Sequence, residues 1–240
     1  MIDKDIGFIL KKYPFRDTSL IATIYTLKYG KIRGIFKGFY TFKKEFSSSL
    51  DLFTLNEFIF YPRKYELWLV SYSDLILDFP FLRENLSKAK TASLIFNILD
   101  KATGLWVSNP LIFSLIKRCL SYLNQEKELK ILYIFLIKFI SFCGFKPTLN
   151  ECVSCFKGLE EKIFFSASYG GLVCKECSLK VKDIQVISKK TSASFSYIQK
   201  NNFPHLLRLK LTLDTEKEII KILNGFLSYH LELDYLSRFL

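Results

Sequence analysis

Two Cys-x-x-Cys pairs constrain this chain more than any other feature. They are Cys152-Val153-Ser154-Cys155 and Cys174-Lys175-Glu176-Cys177, with eighteen residues between Cys155 and Cys174. That spacing falls in the window of a four-cysteine metal site. Each pair can turn tightly enough for two thiolates to meet one ion, and two such knuckles complete a tetrahedron. Inside the spacer, Ile163-Phe164-Phe165 followed by Tyr169-Gly170-Gly171 predicts a strand running into a turn. All four positions would be filled by sulfur, which leaves none for a reactive water. A single Zn2+ held by Cys152, Cys155, Cys174 and Cys177 is therefore expected to be structural.

Disulfides and a redox pair are the rival readings of the same cysteines. Met1-Ile2 is followed at once by Asp3-Lys4-Asp5, which is not a secretory pattern, so a reducing cytoplasm is expected and disulfides are not. A thioredoxin-like site needs one Cys-x-x-Cys near a βαβ pattern, and no such pattern is visible. Cys119 and Cys143 lie in apolar helical stretches and read as small buried hydrophobes.

Before the cysteines, the first 80 residues have another character. Ile6–Tyr13, Leu20–Leu27, Lys31–Phe36, Leu50–Tyr61 and Tyr65–Tyr72 are five runs rich in Ile, Phe, Tyr, Leu and Thr. Turn residues separate them: Tyr29-Gly30 after the second, Pro62-Arg63-Lys64 after the fourth. Five short strands in this length predict a small barrel, with the five-stranded OB-fold as the leading candidate.

Charge gives that barrel a use. The chain carries +12, and residues 11–44 hold nine cations against the single acid Asp17, which is +8 of the total. The nine are Lys11, Lys12, Arg16, Lys28, Lys31, Arg33, Lys37, Lys43 and Lys44. Phe39 and Tyr40 lie among them. Cations that track phosphates and rings that stack on bases are the two components of single-strand binding. The plain alternative is a solvated polar face over a core that takes Phe36.

From Asp78-Phe79-Pro80 onward the apolar residues recur at helical spacing. Helices are predicted over Leu86–Leu99, from Pro110 (with Asn109 as N-cap) to Leu123, over Glu128–Cys143 ending at Gly144, and over Thr191–Lys200. Thr215 and Glu218 have capping-box spacing and open a last amphipathic helix. His230 falls on its apolar face and reads as a packed side chain. The fold expected is α+β and multidomain. An OB barrel spans 1–79 and a helical domain spans 80–240, with a four-cysteine finger inserted at 150–180. Neither a P-loop nor a His/Asp/Glu constellation is present, and two histidines make a histidine-based hydrolase a poor reading. The most apolar run, Ile131 to Phe145, is too short for a bilayer and is interrupted by Lys138.

Two blocks carry a family resemblance. One is Gly7-Phe8-Ile9-Leu10-Lys11-Lys12-Tyr13-Pro14-Phe15-Arg16-Asp17-Thr18-Ser19-Leu20-Ile21, continued in Tyr29-Gly30-Lys31-Ile32-Arg33-Gly34-Ile35-Phe36-Lys37-Gly38. The other is Cys152-Val153-Ser154-Cys155, Phe165-Ser166 and Tyr169-Gly170-Gly171-Leu172-Val173-Cys174. Together they resemble RecO, a bacterial recombination mediator of the RecF pathway, and Tyr229-His230 and Phe239-Leu240 resemble the family's C-terminal pattern. The resemblance implies an OB-fold, a helical domain and a zinc finger. It implies binding of ssDNA and dsDNA, strand annealing, and help in loading RecA onto DNA coated with single-strand-binding protein (SSB). It also implies partnership with RecR and with the acidic C-terminal tail of SSB, without a membrane and without catalysis. Lys117, Arg118, Lys130 and Lys138 are candidate rim residues for that tail. An RNA-binding or translation-associated zinc protein is the alternative.

Overall fold

A computed structural model describes residues 2–41, 50–62, 67–159 and 163–233. Lys43, Lys44, the Arg63-Lys64 turn and the C-terminal Phe239-Leu240 lie outside the described residues. The chain divides into two compact units, Met1–Glu128 and Leu129–Leu240.

The first unit opens on five strands, β1 (Asp3–Phe15), β2 (Ser19–Thr26), β3 (Gly30–Phe36), β4 (Leu55–Tyr61) and β5 (Leu67–Leu77). They close into a barrel in the order β1-β2-β3-β5-β4, with β1 paired to both β2 and β4. All pairs are antiparallel except β3 with β5. This closed order is the OB arrangement the strand count predicted. β1 serves two neighbours because it bends: its register to β2 shifts between Ile9 and Lys11. Inside, Ile9, Leu20, Ala22, Ile24, Ile32, Phe36, Phe58, Phe60, Trp68 and Val70 form one core. The alternation along β2 and β3 puts these residues on one side.

Helices α1 (Phe81–Glu84), α2 (Leu86–Ala102) and α3 (Pro110–Tyr122) follow. Asn109 caps α3 as its sequence position predicted, accepting from the Leu111 and Ile112 amides. The fully buried Phe8 explains why these helices belong to the barrel's unit. Its ring lies 6.2 Å from Phe96 of α2 and 5.3 Å from Phe113 of α3. The loop before α3 is tied to the barrel too. Leu105 bridges Lys31, and the Trp106 amide donates to the Lys31 carbonyl at 2.9 Å. The first compact unit runs past the change of pattern near residue 80, as far as Glu128.

Helix α4 (Glu128–Phe142) begins at the boundary between the units along the chain, and Gly144, at φ +90°, follows it. All ten residues from Ile131 to Ile140 are buried. The rest of the second unit holds β6 (Ile163–Ser166), β7 (Gly171–Val173), α5 (Lys175–Ser178), β8 (Ile184–Ile187), α6 (Lys189–Lys200), α7 (Phe203–Leu206) and α8 (Leu213–Leu231). The predicted hairpin is β6–β7. The sequence gives no sign of β8, which makes a third strand in the order β7-β6-β8. Its four residues are too few for periodicity to be seen.

One capping expectation fails. The cap of α8 is Thr212, whose hydroxyl accepts from the Thr215 amide; Thr215 is already inside the helix. Glu218 instead accepts from the backbone amide and hydroxyl of Ser188, the cap of α6. A one-turn error in the helix start moved the carboxylate from a local cap to a link between two helices.

Candidate functional site

The cysteine cluster is built from three backbone pieces. Thr148 bridges Gly171, and the Val153 amide donates to the Leu172 carbonyl at 2.8 Å. The first knuckle is thereby laid along β7. Within it the Phe156 amide donates to the Cys152 carbonyl at 2.8 Å and the Cys152 amide to the Lys157 carbonyl at 3.0 Å. Phe156 takes a left-handed φ of +60° to close this turn. Cys174 follows β7 as the N-cap of α5, and α5 carries Cys177.

Sulfur atoms of Cys152, Cys155, Cys174 and Cys177 all lie within 4.8 Å of one another. The Cys155–Cys174 separation is 3.8 Å. A tetrahedron of metal–sulfur bonds of about 2.3 Å has edges of about 3.8 Å, so the cluster could hold one ion of zinc's size and preference. Burial opposes charge on Cys152, but amides of Cys174, Cys155 and Ser154 donate to its sulfur and bring it down to about 6. One thiolate, at Cys152, is thus favoured, while Cys155 is shifted up to about 11 and Cys177 is shifted up as well. Burial pushes the Cys119 thiol far up and Cys143 up to about 11, which leaves both as inert thiols away from the cluster.

Outside the four cysteines, a polar shell braces this part of the chain. Asp183, ahead of β8, accepts from the Ser166 hydroxyl at 2.8 Å, the Ser168 hydroxyl at 2.6 Å and the Ser168 amide at 2.7 Å. Burial works against its charge, but these donors hold its carboxyl below the usual range. His230 donates from Nε2 to the Ala167 carbonyl at 2.8 Å, and its ring packs 4.3 Å from Phe226. It is a packed histidine, as its place on the apolar face predicted.

The two glycines of the Tyr169-Gly170-Gly171 turn have different reasons. Gly170 sits at φ +70°. At Gly171 a β-carbon would lie 2.4 Å from the Thr148 carbonyl oxygen and 2.7 Å from Val153 Cγ1. Gly171→Ala therefore prises the first knuckle from β7. The expected outcome is a loss of about 2–4 kcal/mol in the second unit's stability. Chemical denaturation checks it, with metal content measured on the same samples.

Among the described residues, the cations from Lys11 to Lys37 do not form one face. Every residue of β2 is buried, so the middle of the β1-β2-β3 sheet is covered. Lys11 pairs with Asp100 of α2 at 2.6 Å. Lys31, with its side chain only 12% exposed, reaches both that carboxylate, at 3.4 Å, and the Asp100 carbonyl. Burial opposes the Asp100 charge, but the two lysines keep its carboxyl below its ordinary range. Lys12 pairs with Asp51 at 3.1 Å, and Lys28 donates to the Lys4 carbonyl at 2.7 Å. Arg33 points outward in register with Thr23, which is opposite Lys11.

Elsewhere the structure gathers sequence-distant candidates. The Tyr40 amide donates to the Thr18 carbonyl at 3.0 Å, which joins the β1–β2 turn to the turn after β3. Arg16, Lys37, Phe39 and Tyr40 therefore share one end of the barrel. Arg16 and Lys37 are exposed, as is Tyr40, while Phe39 is half-buried against Phe36 and the core. Arg16 stacks over Phe15 at 5.3 Å.

In the second unit, two suggested rim lysines have other work. Lys138 is 8% exposed, and its ammonium donates to the carbonyls of Gln199 and Asn201 at 3.1 and 2.7 Å. It caps the C-terminus of α6 and is not on a rim. Burial, with the nearby charge of Lys146, lowers its pKa. Lys130 likewise caps the Leu207 carbonyl after α7. Lys117 and Arg118 are exposed. No helix among the described residues is long and apolar enough to cross a membrane.

Comparison with known proteins covers both units. The profile of the family described as "Recombination protein O N terminal" matches residues 1–79, and that of "Recombination protein O C terminal" matches residues 83–239. A protein named DNA repair protein RecO from Caldanaerobacter subterraneus is 28% identical over 98% of this chain and 95% of its own length. One of the same name from Alkaliphilus metalliredigens is 27% identical over 97% and 95%. Another, from Desulfatibacillum aliphaticivorans, is 29% identical over 93% and 90%.

Proposed function

From the premise that the chain belongs to the recombination protein O (RecO) family, we propose that it is a non-catalytic DNA-binding mediator of recombinational repair. It binds ssDNA and dsDNA, anneals complementary strands, and helps load RecA onto DNA coated with SSB. Its partners are RecR and the acidic tail of SSB, and its place is the cytoplasm. The functional division is 1–79 for DNA, 80–240 for partners and support, with the finger at 150–180 held by one structural Zn2+.

The observation that carries this reading is the barrel end that joins Arg16, Lys37 and Tyr40 through the Thr18–Tyr40 hydrogen bond. Exposed cations beside an exposed ring on an OB barrel are the elements of phosphate tracking and base stacking. Neutralised phosphates repel one another less, which favours annealing. The ion's part is to hold two knuckles together; the chain's residues do the binding.

The test is fluorescence anisotropy with a labelled single strand across a salt series, followed by annealing of SSB-coated strands. Affinity is expected to fall by about three to five decades between 50 and 200 mM salt if six to ten phosphates are engaged. RNA of matched sequence is expected to bind more weakly. A flat salt dependence, or tighter binding of RNA, overturns the reading.

A further inference from the structure

Between β1 and α2, inside the first unit, lies a cleft of about 350 Å³. Its floor is apolar: Phe53 and Phe96 are 6% and 3% exposed, with rings 5.4 Å apart. Phe53 is held there at φ +67°, a conformation that costs a bulky residue about 1–3 kcal/mol. Strain of this kind gathers where a side chain must be aimed. On one wall, Ser93 and Asn97 stand one turn apart on α2. Neither side chain has a protein hydrogen-bond partner among the described residues. The opposite wall is Lys11, Lys12 and Tyr13 of β1, with Tyr13 45% exposed.

We propose that this cleft captures one unstacked nucleobase of a single DNA strand, between the Phe53–Phe96 floor and the Asn97 and Ser93 side chains, with its flanking phosphates on Lys11 and Lys12. This rests on the reading of the barrel as a DNA-binding unit. Each part of the cleft suits one part of a nucleotide. The aromatic floor takes a ring, and the free amide of Asn97 offers both a donor and an acceptor to a base edge. The volume lies in the range of sites that enclose small organic ligands, which begin at about 300 Å³. Charge fits as well. Lys11 and Lys12 keep 46% and 32% of their side chains exposed beside their ion-pair partners Asp100 and Asp51. A base in a duplex is stacked and paired and cannot enter, so the cleft separates single from double strands. A mediator that anneals must bind the separated strand through something the duplex then hides.

Ser93→Phe fills the cleft without changing charge. Its affinity for a single strand should fall about 10- to 100-fold, the loss of one stacked base. Duplex affinity and the salt slope should stay unchanged, because no phosphate contact is removed. Mapping gives a second measurement that needs no variant. Light-induced crosslinking of a strand carrying 5-iodouracil should label Tyr13 or Phe96 in the wild-type protein. Folded Ser93→Phe protein that binds single strands normally, or crosslinks found only elsewhere, overturns the proposal and leaves the barrel reading in place. A wild-type protein that binds no DNA overturns both.

Discussion

Cys174→Ser protein is expected to hold less than about a tenth of a zinc per chain after dialysis against a chelator, and to lose cooperative unfolding of the finger. The loss is large because the four cysteines sit in the middle of a small core. Cys152, Val173 and Cys174 are its buried residues, and Cys155 and Cys177 are among the few side chains packed on them. So small a cluster cannot offset the entropy of ordering the knuckles. A metal bound to the folded form supplies that free energy directly, on the order of 10 kcal/mol in small zinc domains. Serine keeps the size of the side chain but offers a hard, protonated oxygen. Removing metal from the wild type should reproduce the effect, and Cys143→Ser should leave metal content unchanged. Zinc assay and thermal unfolding of the same samples check it. Folded wild-type protein without stoichiometric metal would end the zinc assignment.

The second large effect separates lysines that hold the fold from cations available to DNA. An Arg16→Gly, Lys37→Ala double variant should bind DNA about 60-fold more weakly at 0.1 M salt, with the salt slope reduced by about 2. Each lost phosphate contact removes about 0.9 from the slope, which is about 8-fold at that salt. Glycine is chosen at position 16 because Arg16 sits at φ +53°, so charge is removed without added strain. Stability should be unchanged. Lys31→Ala should do the opposite. It leaves the Asp100 carboxylate and carbonyl short of a donor and should destabilise the first unit by about 1–3 kcal/mol. Thermal unfolding beside anisotropy distinguishes the two classes. Equal DNA defects in both variants without any change in stability would dissolve the distinction.

Much of this could be read from the chain before any coordinates. The strands of the barrel, the Asn109 cap, the Gly144 stop and the β6–β7 hairpin are local, set by side-chain alternation and by residues one or two positions apart. The cysteine spacing was equally legible, since a Cys-x-x-Cys turn is closed by its own backbone. What the sequence did not show were particular long-range polar pairings. The pairings of Lys31 and Lys11 with Asp100, 69 and 89 positions away, leave no mark on the local sequence. Lys138 looked like a surface charge because its carbonyl partners lie 61 and 63 residues on. Ser188 takes Glu218 from 30 residues on.

By itself the sequence determined which segments are strands or helices, that four thiols could meet, and to which family the chain belongs. The tertiary structure alone decided which cations are spent inside the protein. It alone placed Arg16 beside Lys37, and a cleft where β1 meets α2. The reason is physical. Backbone propensity and periodicity act over a few residues and are written in neighbouring letters. Burial and charge pairing depend on which distant segments fold together, and no local pattern records that.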